Sequence, residues 1–181
     1  VLIGGEPQFL ESLRSLEIVN KEKTSSTIKA LVDEGDSYMK EGQDIKALKS
    51  YLSSLSLSYN EDVGSNYSFS TVMADAISIL EDINLKITSS DTSQGKCTIT
   101  VSRNGTRIFA PVSSASIIAS YVALDPKGSE YNHSYFYSTD ENGVVVFQPL
   151  NPAIKRKGEV SFSLDLSEEL EELGKVVGQA A

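Results

Sequence analysis

Tryptophan is absent from this chain, and histidine and cysteine each occur once. These shortages exclude much of enzyme chemistry. Serine and cysteine nucleophiles need a base within hydrogen-bond reach, and His133, in "EYNHSYFY", has neither a GxSxG elbow nor a partner thiol to work with. The single Cys97 cannot close an internal disulfide, and no CxxC pair or Cys/His cluster is present to hold zinc. Walker loops, GxGxxG and HExxH motifs are also missing, so the residues imply no cofactor and no catalytic metal. No segment approaches the roughly 20 apolar residues that span a bilayer, and "VLIGGEP" is too short for the apolar region of a signal peptide. Basic residues are scarce: 16 Lys and Arg face 25 Asp and Glu, and the net charge of −9 opposes binding to nucleic acid or to an anionic membrane. A chain that starts at Val1 without methionine is expected to be a processed piece of a longer protein, with any export signal or lipid anchor lying outside it.

What is present falls into two halves with different periods, residues 1 to 83 and 84 to 181. In the first, apolar residues recur at helical spacing. Phe9, Leu13 and Leu16 mark one helix; Ile28, Leu31, Gly35, Tyr38 and Met39 a second; Ile45, Leu48, Tyr51, Leu52 and Leu55 a third. After "NEDVGSNYS" a fourth runs through Phe69, Val72, Met73, Ala76, Ile77 and Leu80, with Ser68 or Ser70 as its cap. Residues 1 to 82 hold 7 basic against 14 acidic side chains, so the acidic surface belongs mainly to the helices.

From Asn84 onward the period is two. "LKITS", "KCTITVS", "RIFAPV", "SIIASYVAL", "SYFYS", "GVVVFQP" and "EVSFSLD" predict short strands separated by turn-rich stretches, which is the signature of an antiparallel sandwich or small barrel. Alternation in "KCTITVS" places Cys97 with Ile99 and Val101 on the apolar face, as an inert core thiol. The closing "SEELEELGKVV" predicts a helix capped by Ser167, with Glu168, Glu169, Glu171 and Glu172 near its positive end. The fold class is therefore α+β: a helical layer, then an antiparallel sandwich with a short terminal helix.

Residues 31 to 57, "LVDEGDSYMKEGQDIKALKSYLSSLSL", resemble one tetratricopeptide repeat. Gly35 and Tyr38 take the first-helix positions, Gly42 the turn, and Ala47, Tyr51 and Ser54 the second-helix positions; Glu34 and the lack of a closing proline depart from the pattern. The resemblance implies two antiparallel helices in close contact. A lone repeat needs neighbours to bury its faces, and the helices around Leu13 and Ala76 are expected to supply them. "TDENGVVVF", residues 139 to 147, resembles the segment of bacterial immunoglobulin-like and transthyretin-like domains in which a Thr-Asp pair, a turn and a glycine lead into an apolar strand. There Gly143 takes a positive φ, and Asp140 or Asn142 bonds nearby amides. A helical half followed by such a sandwich is similar to a region of some bacterial envelope lipoproteins, which implies an extracytoplasmic, lipid-anchored setting.

Few residues suggest a site. Asp140, Glu141 and Asn142 offer oxygens to calcium but lack a designated distant ligand. Asp125, Glu130, Asp140 and Glu141 are the loop acids that glycosidase chemistry would need as a pair. In "YNHSYFYS", Tyr135 and Tyr137 share one face and Phe136 points to the other. If Phe136 is core, the two tyrosines form an exposed platform for a sugar ring. The expectation is a non-enzymatic interaction or spacer module with an unidentified protein partner; the alternative is a carbohydrate-binding accessory module.

Overall fold

The computed structural model describes residues 6–59, 61–91, 96–104, 109–148 and 155–180. Its first element, α1 (Glu6–Lys40), is a single helix of 35 residues, about 50 Å long at the usual rise. The two helices expected within it are one. Between Gln8 and Glu34 there is neither proline nor glycine to stop it. Within the polar stretch "NKEKTSST", Thr24 and Thr27 donate their hydroxyls to the carbonyls of Asn20 and Lys23, each at 2.9 Å, and so satisfy them without leaving the helix.

The helix ends at Gly42, whose φ of +72° needs a residue without a side chain and whose Cβ would stand 3.1 Å from the Pro111 carbonyl. Next, α2 (Asp44–Ser58) runs back against the carboxyl-terminal part of α1. Their axes approach closely at Gly35, where any Cβ would collide with the ring of Tyr51. That ring cannot simply swing away, because its hydroxyl donates to Asp36 at 2.6 Å. Ser50 donates to Glu34 at 2.9 Å, so the acid in the expected apolar position is used across the same helix pair.

After a 3₁₀ turn (Ser65–Tyr67), α3 (Phe69–Asp82) starts under the cap of Ser68, whose hydroxyl accepts from the Thr71 amide. It buries Val72, Ala76 and Ile79 against Leu48, Tyr51 and Leu55 of α2. Ala76 thus supplies one expected neighbour. The helix around Leu13 does not supply the other, because its side chains remain exposed.

No linker separates helices from strands. α3 passes at once into β1 (Ile83–Asp91), and Ile83 packs against both the helical and the strand cores. The other strands are β2 (Lys96–Asn104), β3 (Phe109–Pro111), β4 (Ser116–Leu124), β5 (Glu130–Ser138), β6 (Val144–Phe147) and β7 (Lys155–Leu164). In one antiparallel sheet β2 pairs with β1 on one side and with β3 and β6, placed end to end, on the other. The second sheet has the order β5-β4-β7. Ile99, Val101 and Phe147 from the first sheet meet Ile117, Ala119 and Phe162 from the second in a common core.

The last element, α4 (Ser167–Ala180), returns to the helices: its Val176 is buried in their core, although its place in the sequence groups it with the strands. Ser167 does not cap it by accepting a bond. Its amide and hydroxyl both donate to Asp165, which holds that carboxyl below its ordinary range.

The two layers are joined at the start of α2. Ser113 donates its amide to the Gly42 carbonyl at 3.2 Å, and Ile45 sits in the core between the sheets. Asp44 is fully buried there, with Arg103 Nε 3.5 Å from Oδ2 but no aligned hydrogen bond to either carboxylate oxygen. Burial raises the Asp44 carboxyl above its ordinary value of 3.8, against the lowering effect of Arg103. The folded protein therefore holds this proton more tightly than the unfolded chain does. The stability so contributed is complete below pH 3.8 and is lost as pH rises through the raised folded-state value.

Asp44→Asn removes that loss. Thermal midpoints of the variant and the parent, measured from about pH 3.5 to pH 7.5, should separate in the variant's favour as pH rises; a gap that does not change with pH would contradict the cost assigned to this carboxylate. Gly35→Ala should destabilise the protein by about 2 kcal/mol through overpacking against Tyr51, read as a lower urea midpoint, and an unchanged midpoint would show that the helix pair can open to admit a methyl group.

Candidate functional site

The turn "TDENG" is built into the framework. Thr139 is buried; its hydroxyl donates to the Val112 carbonyl at 2.7 Å and accepts from the Ala115 amide at 2.9 Å, tying β5 to the connection between β3 and β4. Asp140 Oδ1 accepts from the amides of Asn142 and Val144 at 2.8 and 2.9 Å. Gly143 has φ +70°, and a Cβ on it would lie 2.5 Å from the Val101 carbonyl. The carboxylate and glycine thus fulfil the structural roles expected of them.

Asp125 and Glu130 are also engaged, whereas Glu141 is exposed and has no side-chain hydrogen bond or ion pair among the described residues. Asp125 Oδ1 accepts from the amides of Lys127 and Ser129, each at 2.8 Å, and Glu130 pairs with Lys157 across the strands. No group of three or more His, Cys, Asp and Glu side chains among the described residues is placed to hold a metal ion. Cys97 is half-buried against the strand core, and burial pushes its thiol up from the ordinary value, away from the reactive thiolate.

The aromatic strand faces the opposite way from the platform arrangement. Phe136 is 74% exposed, whereas Tyr135 and Tyr137 are half-buried and packed on the core. The reason lies in the register. Tyr135 and Tyr137 lie opposite Ala119 and Ile117 of β4, whose buried face is the inner one, and the small Ala119 leaves room for a large ring. Their rings meet Phe147 edge-on at 6.1 and 5.8 Å. Phe136, one residue out of phase, must face away.

The same inner face continues through His133, on an edge strand, to Tyr121 and Arg156. The Tyr121 and His133 rings lie 5.4 Å apart, and the Arg156 guanidinium stands 5.9 Å from the Tyr121 ring. Burial pushes the Tyr121 phenol up to about 12, so it does not exchange protons near neutrality. Alternation in "SIIASYVAL" already places Tyr121 on the buried face; no pattern in the sequence marks Arg156 as its neighbour.

The unpartnered surface is elsewhere. Phe9, Leu10, Leu13, Leu16, Ile18 and Val19 of α1 are each 45 to 65% exposed. Phe9, Leu13 and Leu16, at i, i+4 and i+7, form one stripe, flanked by Leu10 and Val19. Residues 8 to 23 are exposed without exception, and burial in this helix begins in earnest at Ile28. Single exposed apolar residues are ordinary, but here they form a continuous apolar stripe on a projecting helix. The sequence period shows the stripe; only the fold shows that it has been left uncovered.

Replacing each of two adjacent rings separates the faces of β5. Tyr135→Ala should cost about 2 kcal/mol, while Phe136→Ala should stay within about 0.5 kcal/mol of the parent, both read by urea unfolding; equal losses would overturn the inward assignment of Tyr135. A comparison of this chain with protein-family models, with curated proteins and with solved structures finds no match in any of the three.

Proposed function

We propose that the protein is a non-enzymatic interaction module of the bacterial cell envelope or of secreted material, in which the joined helices and sheets form a base that holds out the amino-terminal part of α1 as a docking arm. The observation that carries this reading is the exposed stripe of Phe9, Leu13 and Leu16 on a helix that nothing else among the described residues covers. An apolar face of this kind binds by laying its i, i+4, i+7 side chains against another apolar surface. The extracytoplasmic setting and the lipid anchor rest on the resemblance of residues 31 to 57 to a tetratricopeptide unit and of residues 139 to 147 to the turn of immunoglobulin-like domains. Asp125, Glu130 and Asp140 have structural partners and the lone thiol packs on the strand core, which suits a role without catalysis. The inward packing of Tyr135 and Tyr137 favours this reading over carbohydrate binding.

A photoreactive phenylalanine analogue in place of Leu16, in the full-length protein within its own cells, should yield a covalent adduct on illumination. The same analogue in place of Glu11, on the opposite side of the helix, should not. No adduct from position 16 would overturn the docking reading.

A further inference from the structure

We infer that the partner of this arm is a second copy of the same chain, the two arms lying antiparallel. The inference rests on the docking reading above and names its occupant.

Charge gives the first argument. The chain carries −9, of which residues 1 to 82 hold −7, so two copies repel one another chiefly through their helical bodies. Within the helices the arm is the exception: over residues 8 to 27, Glu11, Glu17 and Glu22 are balanced by Arg14, Lys21 and Lys23. Copies can approach along this neutral rod with their acidic bodies held at opposite ends.

The pattern gives the second. A two-fold axis crossing the arm between Arg14 and Ser15 sets Leu13 against Leu16 of the second copy, and Leu16 against its Leu13. Phe9 then meets Asn20, a polar residue in the seam of the kind that fixes register in paired helices. Arg14 and Glu17 lie on one flank, three residues apart, and antiparallel pairing brings equal flanks together. Each Arg14 thus comes opposite the other copy's Glu17, twice per pair. A parallel arrangement would instead bring unlike flanks together and leave Arg14 and Glu17 away from one another across the seam.

Area gives the third. Ile18 lies on the far side of the helix; the other five exposed apolar side chains, with Leu10 and Val19 at the margins of the stripe, present roughly 500 Å² on each arm, so a pair would bury at most about 1,000 Å², the size of a weak or transient contact. A reversible dimer is what such an area supports.

Sedimentation of the full chain at about 100 µM should show a species of twice the 19.6 kDa monomer mass. Leu13→Glu should abolish it without unfolding the protein, since Leu13 is exposed. Arg14→Glu should weaken pairing by about five-fold or more, and adding Glu17→Arg to it should restore pairing to within about two-fold of the parent. A monomer at this concentration, or a double variant no better than Arg14→Glu, would overturn the antiparallel dimer. The adduct formed at position 16 separates the two readings: twice the chain mass supports the dimer, another mass overturns the dimer but leaves the docking reading standing, and no adduct overturns both.

Discussion

Everything the arm can do depends on the joint at residues 42 to 45, where the helix pair is fastened to the sheets. Gly42 turns the chain in a conformation closed to other residues, with its carbonyl accepting from the Ser113 amide. One residue later than Gln43, Asp44 is fully buried within ion-pair distance of Arg103, and Ile45 enters the core of the sheets. A buried carboxylate with no aligned hydrogen bond is an expensive way to join two layers. Arg103 also reaches back to Met39, at the end of α1, donating to its sulfur at 3.7 Å. One side chain on β2 thus touches both helices at their junction.

The stiffness of the base follows from the same economy of separation. Ile83 belongs to both cores, α4 carries Val176 back from the end of the chain to the helices, and no linker stands between α3 and β1. The turn at Thr139 to Gly143 then locks the two sheets together through Val101, Val112 and Ala115. Movement of the arm relative to the strands would have to break Gly35 away from Tyr51 or Gly42 away from Ser113. The direction in which α1 leaves the body is therefore set by packing at its carboxyl-terminal end.

Periodicity made most of this architecture legible in advance. The strands among the described residues stand where alternation places them, most plainly β4 and β6, each of which has a buried face that a shift of one residue would turn to water. Gly143 and Asp140 were readable because their chemistry is local: a positive φ and a carboxylate bonding amides two and four residues on. Ser68 is a cap for the same reason. What the sequence could not reveal depends on distant partners. The direction of Tyr135 and Phe136 is set by pairing with β4, and alternation alone leaves the choice between two faces open. The ion pair of Asp44 and Arg103 joins residues far apart in the chain, with no motif to announce it. Ser167 resembles a cap in sequence, yet a carboxylate two residues earlier takes its hydroxyl.

The merging of the first two helices is the most instructive of these differences, since it turns an expected packing element into a projecting one. A break near Thr24 to Thr27 would have let the first helix fold back and cover its own apolar stripe against the helical layer. Proline or glycine there would suffice; instead both threonines bond inside the helix and it continues without interruption. The price is an apolar stripe held in water, and a helix of this polarity has little propensity to persist alone without tertiary contacts. Sequence and fold are at odds only if the arm is solitary. Once the stripe is covered, continuity and apolarity serve one end: continuity keeps the stripe in register over several turns, and burial supplies the stability that the exposed helix lacks. An uninterrupted helix is thus what the docking role proposed for the arm requires.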